Sequence, residues 1–231
     1  MITGRNYSMR GKPLIPGRTI VPVTGITCAT ALFTDLHGYD GLLEPLQSVE
    51  IAQLLGALFE MLTGTVLEFG GRIFGLQEAG MLAGFGVGDT RYTRTFEAFH
   101  AACAMQRRFV PMRTSWQNDH CIDTAIGIGI HRGEVAVGAF GPLGNPSLMM
   151  VGDAANGAAQ LARRARAGEI LLSCTACAPE PGRAPSSAPP LALKRLPPLK
   201  IRGRSAPIDV WCMPVDERLP MRQAWGRRGA H

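Results

Sequence analysis

The apolar positions of this chain fall into blocks of two periods that alternate along its length. Ala31 to Asp40 reads ALFTDLHGYD, an apolar run ending on a carboxylate, Asp35, and a short turn before a long helical pattern. Val49, Ala52, Leu55, Phe59, Leu62 and Val66 recur every three or four positions and mark one face of an amphipathic helix. Gly70 to Gly86, GGRIFGLQEAGMLAGFG, is two short apolar runs about a polar turn, which predicts a β-hairpin. A second helix is predicted from Tyr92 to Met112. Ile126 to Gly141, IGIGIHRGEVAVGAFG, gives another pair of alternating runs broken at Arg132-Gly133, so His131 and Arg132 are expected to end a strand at a turn. Leu148 to Ser173, LMMVGDAANGAAQLARRARAGEILLS, predicts a strand, a Gly-Asp turn, a helix of small residues and another strand.

The ends and one interruption lack such periods. Residues 1–26 read as an N-terminal arm, 27–213 as one domain and 214–231 as a C-terminal tail. APEPGRAPSSAPP, about residues 178–190, reads as a mobile surface loop. A hydrophobic content of 46% supplies a core. No apolar run is expected to reach the length that spans a bilayer, and the N-terminus lacks a signal-peptide pattern, so a cytoplasmic location is expected. The six cysteines are scattered over apolar segments and read as reduced core thiols. A net charge of +6 and a pI near 9.3 raise the question of nucleic acid. The basic residues lie in Arg163, Arg164 and Arg166, in Lys194 to Arg204 and at Arg227-Arg228, without interleaved aromatic platforms, so nucleic acid is not an expected partner.

In a phosphate-handling protein, the Asp35 block sets one carboxylate at a strand end for Mg²⁺ and a helix N-terminus near the phosphates. The plainer alternative is that Asp35 ends a strand and holds a turn. The Asp35 block, the Gly70 hairpin, the Ile126 and Leu148 blocks and a last segment, LKIRGRSAPIDVWCM from Leu199 to Met213, resemble in order and spacing the catalytic domain of class III adenylate and guanylate cyclases over about residues 27 to 213. The resemblance implies an α+β fold, a ferredoxin-like antiparallel sheet flanked by helices, closed by a hairpin at Leu199 to Met213 and with Asp35 and Gly75 on neighbouring strands.

The family's reaction drives a ribose 3′-hydroxyl in line onto the α-phosphate and expels pyrophosphate, with two Mg²⁺ ions between two carboxylates. Asp35 matches the first carboxylate. The second falls in the turn of the double-glycine block, at Ala79, which has no oxygen for a metal. Glu78 is the adjacent candidate for a replacement ligand, although neighbouring side chains in a strand or tight turn point opposite ways. Leu36, His37, Gly38 and Tyr39 form the turn that the resemblance places toward the phosphates; His37 either touches an anion there or is a solvated turn residue. Family adenylate cyclases read the base with a lysine in the first hairpin and an aspartate or threonine before the Gly-Asp turn. Here those positions are Gly75 and Met149, the guanylate pattern is absent too, and an apolar pocket is expected around Met149. The family's Asn-x-x-x-Arg pair reads Asn156 and Gln160. The two share a helix face, but loss of the guanidinium costs on the order of 10²-fold in rate. Arg163 and Arg164 lie about one helical turn, roughly 5.4 Å, further on. Asn156 is either a ribose-orienting remnant or a polar side chain that bonds nearby backbone.

The resemblance therefore implies a degenerate member: a catalytically inactive regulatory or protein-binding module in cyclic-nucleotide or related intracellular signalling. The alternative is an active nucleotidyl cyclase, a phosphorus–oxygen lyase, with an atypical site built from Asp35, Glu78 and Asn156. The inactive reading requires no cofactor, and Mg²⁺ or Mn²⁺ would arrive at Asp35 with a nucleoside triphosphate. Family sites form across a head-to-tail dimer. The expected partner is thus a second copy, another cyclase-like domain or a signalling protein, docked at a cleft made more apolar by Met149 and Met150. Two other motifs are read blandly. Cys174-Thr175-Ala176-Cys177 has no second Cys or His pair at zinc spacing and reads as two ordinary thiols on a helical turn. Gly86-Val87-Gly88-Asp89 lacks the strand-to-helix phosphate context and reads as a loop.

Overall fold

β1 (Ile26–His37) feeds two cores at once. Leu32 and Leu36 enter one apolar cluster while Ala29, Ala31 and Phe33 enter another on the opposite face, the consequence of a two-residue pleat. In the computed structural model, which describes residues 25–43, 45–77, 80–89, 91–140, 147–178, 193–200 and 206–214, this strand lies in the middle of the sheet. It is followed by α1 (Asp40–Leu43), α2 (Ser48–Glu68), β2 (Arg72–Gln77), β3 (Gly80–Phe85), α3 (Thr95–His120) and β4 (Ala125–Phe140). The second half holds β5 (Ser147–Gly152), α4 (Asp153–Ala162), β6 (Glu169–Ser173), α5 (Cys174–Cys177), β7 (Lys194–Leu199) and β8 (Ile208–Pro214).

Among the described residues the strands form one sheet in the order β2-β3-β1-β4-β6-β8-β7, with β5 on β4. Its β2-β3-β1-β4 half is the antiparallel ferredoxin-like arrangement. β6 pairs parallel to β4 after the crossover through α4, so the whole sheet is mixed. The hairpin joins β1 through β3, which leaves β3 between β1 and β2. Asp35 and Gly75 therefore do not sit on neighbouring strands, contrary to expectation.

Helices α2 and α3 cover one face and α4 the other. α4 approaches closely because β4 turns glycines toward it: a Cβ on Gly129 would run into the Ala158 carbonyl and the Ala162 amide, and one on Gly127 would lie 2.9 Å from the Ala162 carbonyl. The facing residues of α4, Ala154, Ala155, Gly157, Ala158, Leu161 and Ala162, are all buried.

Several expectations are corrected. β4 is one strand of 16 residues with no turn at Arg132-Gly133. Its register with β1 passes unbroken through Arg132 opposite Thr30 and Gly133 opposite Ala29, so the long partner strand holds it straight. α3 continues past Met112 through Pro111. Proline costs that helix one backbone bond, but Phe109 before it and Trp116 after it are buried edge to face, with centroids 5.8 Å apart. By length and composition α2 is apolar enough to cross a membrane, contrary to the expectation that no run is. Here it lies on the sheet with Leu58, Leu62, Thr65 and Val66 buried, while Val49 and Ala52 at its start are exposed. Arg108 of α3 clamps its end, donating to Thr65 Oγ1 at 2.9 Å and to Glu68 Oε2 at 2.7 Å. Of the cysteines, Cys103 and Cys212 are buried, but Cys28, Cys121 and Cys174 are exposed, so these three are not core thiols. The last hairpin begins at Lys194 rather than Leu199. Residues 1–24, 179–192 and 215–231, and with them most of the arm, the Pro/Ser-rich loop and the tail, lie outside the described residues.

Candidate active site

The outer face of α4 carries an open cleft. Asn156, Gln160, Arg163 and Arg164 line an open volume of about 450 Å³. The i, i+4 spacing brings the first two together: Gln160 Nε2 donates to Asn156 Oδ1 at 3.3 Å. The two arginines follow at the helix end and give the cleft a positive rim.

Asp35 is elsewhere. It is the last but two residue of β1, opposite Gly80 on one side and Gly127 on the other. By the alternation of β1 it shares the α4-side face with Phe33 and His37, and no residue of β1 lines the α4 cleft. His37 belongs to the strand rather than to a turn. Its Nε2 lies 4.0 Å from Asp35 Oδ2 and is buried without a hydrogen-bond partner. Leu36 is a core residue and Tyr39 packs on the same core, so neither side chain is presented to a phosphate. Only Gly38 and Tyr39 form the turn, where Gly38 has φ +80° and a Cβ on it would lie 2.6 Å from the Asp123 carbonyl oxygen.

Gly75 sits beside a β-bulge in β2 with open space where a side chain would project. Met149 is 42% exposed on β5, so no apolar pocket surrounds it; Met150 is the methionine that is buried. Glu78 and Ala79 lie outside the described residues. Among the described residues no group of three or more His, Cys, Asp and Glu side chains is placed to hold a metal ion. A two-Mg²⁺ centre needs several oxygen donors, and of the carboxylate positions that the resemblance names, Asp35 is the one among the described residues.

The sequence reading missed His131. It is fully buried in mid-strand, not at a turn. Nε2 donates to Asp153 Oδ2 at 3.1 Å, the carboxylate fixing which nitrogen carries the proton. Nδ1 faces Thr175 Oγ1 at 3.3 Å, and that hydroxyl donates to the Arg132 carbonyl at 2.8 Å. The imidazole thus ties β4 to the first residue of α4 and to α5. The sequence carried a signal for it: Gly127, Gly129, His131 and Gly133 share one face at period two, and the glycines make room for α4.

A second cleft, about 420 Å³, lies among Gly70, Gly71, Arg72, Gly84, Gly86, Val87, Gly88, Asp89 and Arg94. Asp89 closes its loop by accepting from the Arg91 and Tyr92 amides at 2.9 and 3.3 Å. Those two amides, with a smaller contribution from Arg94, hold its carboxyl below the usual value.

With the geometry in place, comparison with known proteins is informative. The adenylate and guanylate cyclase catalytic domain family matches residues 21–179, and this chain belongs to it. An adenylate cyclase of Anabaena cylindrica is 29% identical over 140 residues, 57% of this chain and 26% of that protein. The chain thus spans about a quarter of that relative's length. The adenylyl cyclase CyaB from P. aeruginosa has the same fold, with a TM-score of 0.74, 22% identity, and coverage of 87% of this chain and 98% of that one. So does a dimeric guanylyl cyclase domain from Blastocladiella emersonii, with a TM-score of 0.65, 16% identity, and coverage of 82% and 97%.

Proposed function

We propose that this domain is a catalytically inactive member of its family, serving as a regulatory or protein-binding module in cyclic-nucleotide or related signalling in the cytoplasm. The observation that carries the reading is the Gln160–Asn156 hydrogen bond. The side chain standing where the resemblance calls for a guanidinium engages the retained asparagine and brings no charge to a pentavalent phosphorus. Gly75 and Met149 support it, since neither offers a hydrogen bond to a base edge.

A nucleoside triphosphate entering the α4 cleft would meet Arg163 and Arg164 as counter-charges for its phosphates and the Asn156 amide as a polar contact. Mg²⁺ or Mn²⁺ would arrive at Asp35 with a nucleotide, held there by the carboxylate and the phosphates. The partner is a second copy or another cyclase-like domain, because β5 presents Leu148, Met149 and Val151 outward on an edge strand.

Titration of this chain into an intact cyclase catalytic domain tests the reading. The partner's rate should change, and Asp35→Ala in this chain should leave that effect intact. An effect abolished by Asp35→Ala would mean that the chain supplies a working metal ligand, and no association by light scattering together with no effect would reject the module.

A further inference from the structure

Cys174 and Cys177 open and close the single turn of α5. Cys174 is exposed, whereas Cys177 packs partly buried against the main core. Burial and then the neighbouring Cys174 push the Cys177 thiol up to about 12. Thr175 stands between them. Its hydroxyl donates to the Arg132 carbonyl at 2.8 Å, meets His131 Nδ1 at 3.3 Å and lies 2.9 Å from Ser173 Oγ. Arg132 Nη1 donates in turn to the Ala178 carbonyl at 3.0 Å, which fastens the far end of the turn to the same strand.

We infer that Cys174 and Cys177 form a reversible dithiol–disulfide site, oxidised by low-molecular-weight disulfides, whose state is transmitted to His131 through Thr175. Residues three apart on a helix hold their Cβ atoms roughly 5–6 Å apart, and a disulfide wants about 3.5–4.5 Å. The Cβ atoms must therefore approach by about 1–2 Å, and closing the bond tightens the turn. Cys177 must leave its place on the core, and Thr175 moves with the backbone between them. The hydroxyl then shifts against His131, whose other nitrogen holds Asp153 at the start of α4.

The chemistry proceeds by exchange. The Cys174 thiolate, the accessible sulfur, attacks a small disulfide RSSR and expels one RS⁻, leaving a mixed disulfide. The Cys177 thiolate then attacks the Cys174 sulfur and expels the second RS⁻. Two electrons pass from the protein pair to RSSR, and the two thiol protons end on the two RS⁻ groups. Cys177 is the slow partner while buried beside a Cys174 thiolate, and the mixed disulfide removes that neighbouring charge before the second step.

The full chain, equilibrated with oxidised and reduced glutathione over a range of ratios and mapped by mass spectrometry, tests the site. The expected product is a Cys174–Cys177 bond, two hydrogens lighter than the reduced pair, reversed by dithiothreitol and absent in Cys174→Ser and Cys177→Ser. Exposed Cys28 and Cys121 serve as internal controls and carry only glutathione adducts. Cys174 halting as a glutathione adduct, with no internal bond at any ratio, overturns the site. His131 imidazole ¹H–¹⁵N resonances should move as the internal bond forms in the native chain and stay fixed in Cys177→Ser. Resonances unmoved while the bond forms overturn the link to His131.

Discussion

His131 is a buried imidazole in mid-strand that joins β4 to α4 and α5. A buried imidazole bonded to a carboxylate is held by a charge-assisted bond of about 1.5–3 kcal/mol. Truncation also leaves a cavity. His131→Ala should lower stability by roughly 3 kcal/mol in urea denaturation, and Thr175→Val, which removes a single hydroxyl, by about 1 kcal/mol. The edge of the ring touches Gly157, where a Cβ would collide with it, so Gly157→Ala should cost as much as the His131 truncation. Equal midpoints for native and His131→Ala protein would contradict this account. Asp35, Asn156 and the replacements at Gly75, Ala79, Met149 and Gln160 were assigned by the motifs of the family that the chain resembles, which fix positions in the sequence and not which of them meet in space. His131 was not legible, because the Arg132-Gly133 pair looks like a turn until a twelve-residue partner strand is known to run beside it.

At the level of elements, α4 rests on glycines and α3 rests on aromatic rings. Gly129→Ala should push α4 off β4 and cost about 1–3 kcal/mol, read as a shifted denaturation midpoint. On α3, the His100 ring lies among Phe96, Phe99 and Phe69, with centroids 4.4, 6.2 and 6.3 Å away. Burial, with Arg107 adding and Glu97 opposing, holds its pKa below the ordinary 6.5. It is neutral in the fold, so the unfolded chain takes up the proton first as pH falls. The stability it contributes is complete above about pH 6.5 and is lost as pH falls through the lowered value. The melting temperature should decline on acidification below that point, and His100→Phe should flatten the decline; an unchanged slope would contradict it. Periodicity located α2 and the Gly70 to Gly86 hairpin, but not the unbroken β4 or the end of α3. The expected helix ended at Met112, and the buried Trp116 shows why it continues.

For the whole molecule, assembly and chemistry separate. If β5 is an interface, light scattering should show a concentration-dependent larger species that Met149→Asp abolishes, because an ionised carboxylate cannot be buried in an apolar contact without large cost. A monomer at every concentration would reject the homodimer. The fold was legible because the motif blocks keep the order and spacing of the family that they resemble. The placement of Asp35 away from the α4 cleft was not, since which face each strand turns to which helix depends on the register that pairing sets. The account stands or falls on catalysis. Purified chain incubated with each of ATP, GTP, CTP and UTP in Mg²⁺ or Mn²⁺ should yield no cyclic nucleotide above a protein-free blank, whereas cyclic product that disappears in Asp35→Ala would contradict it.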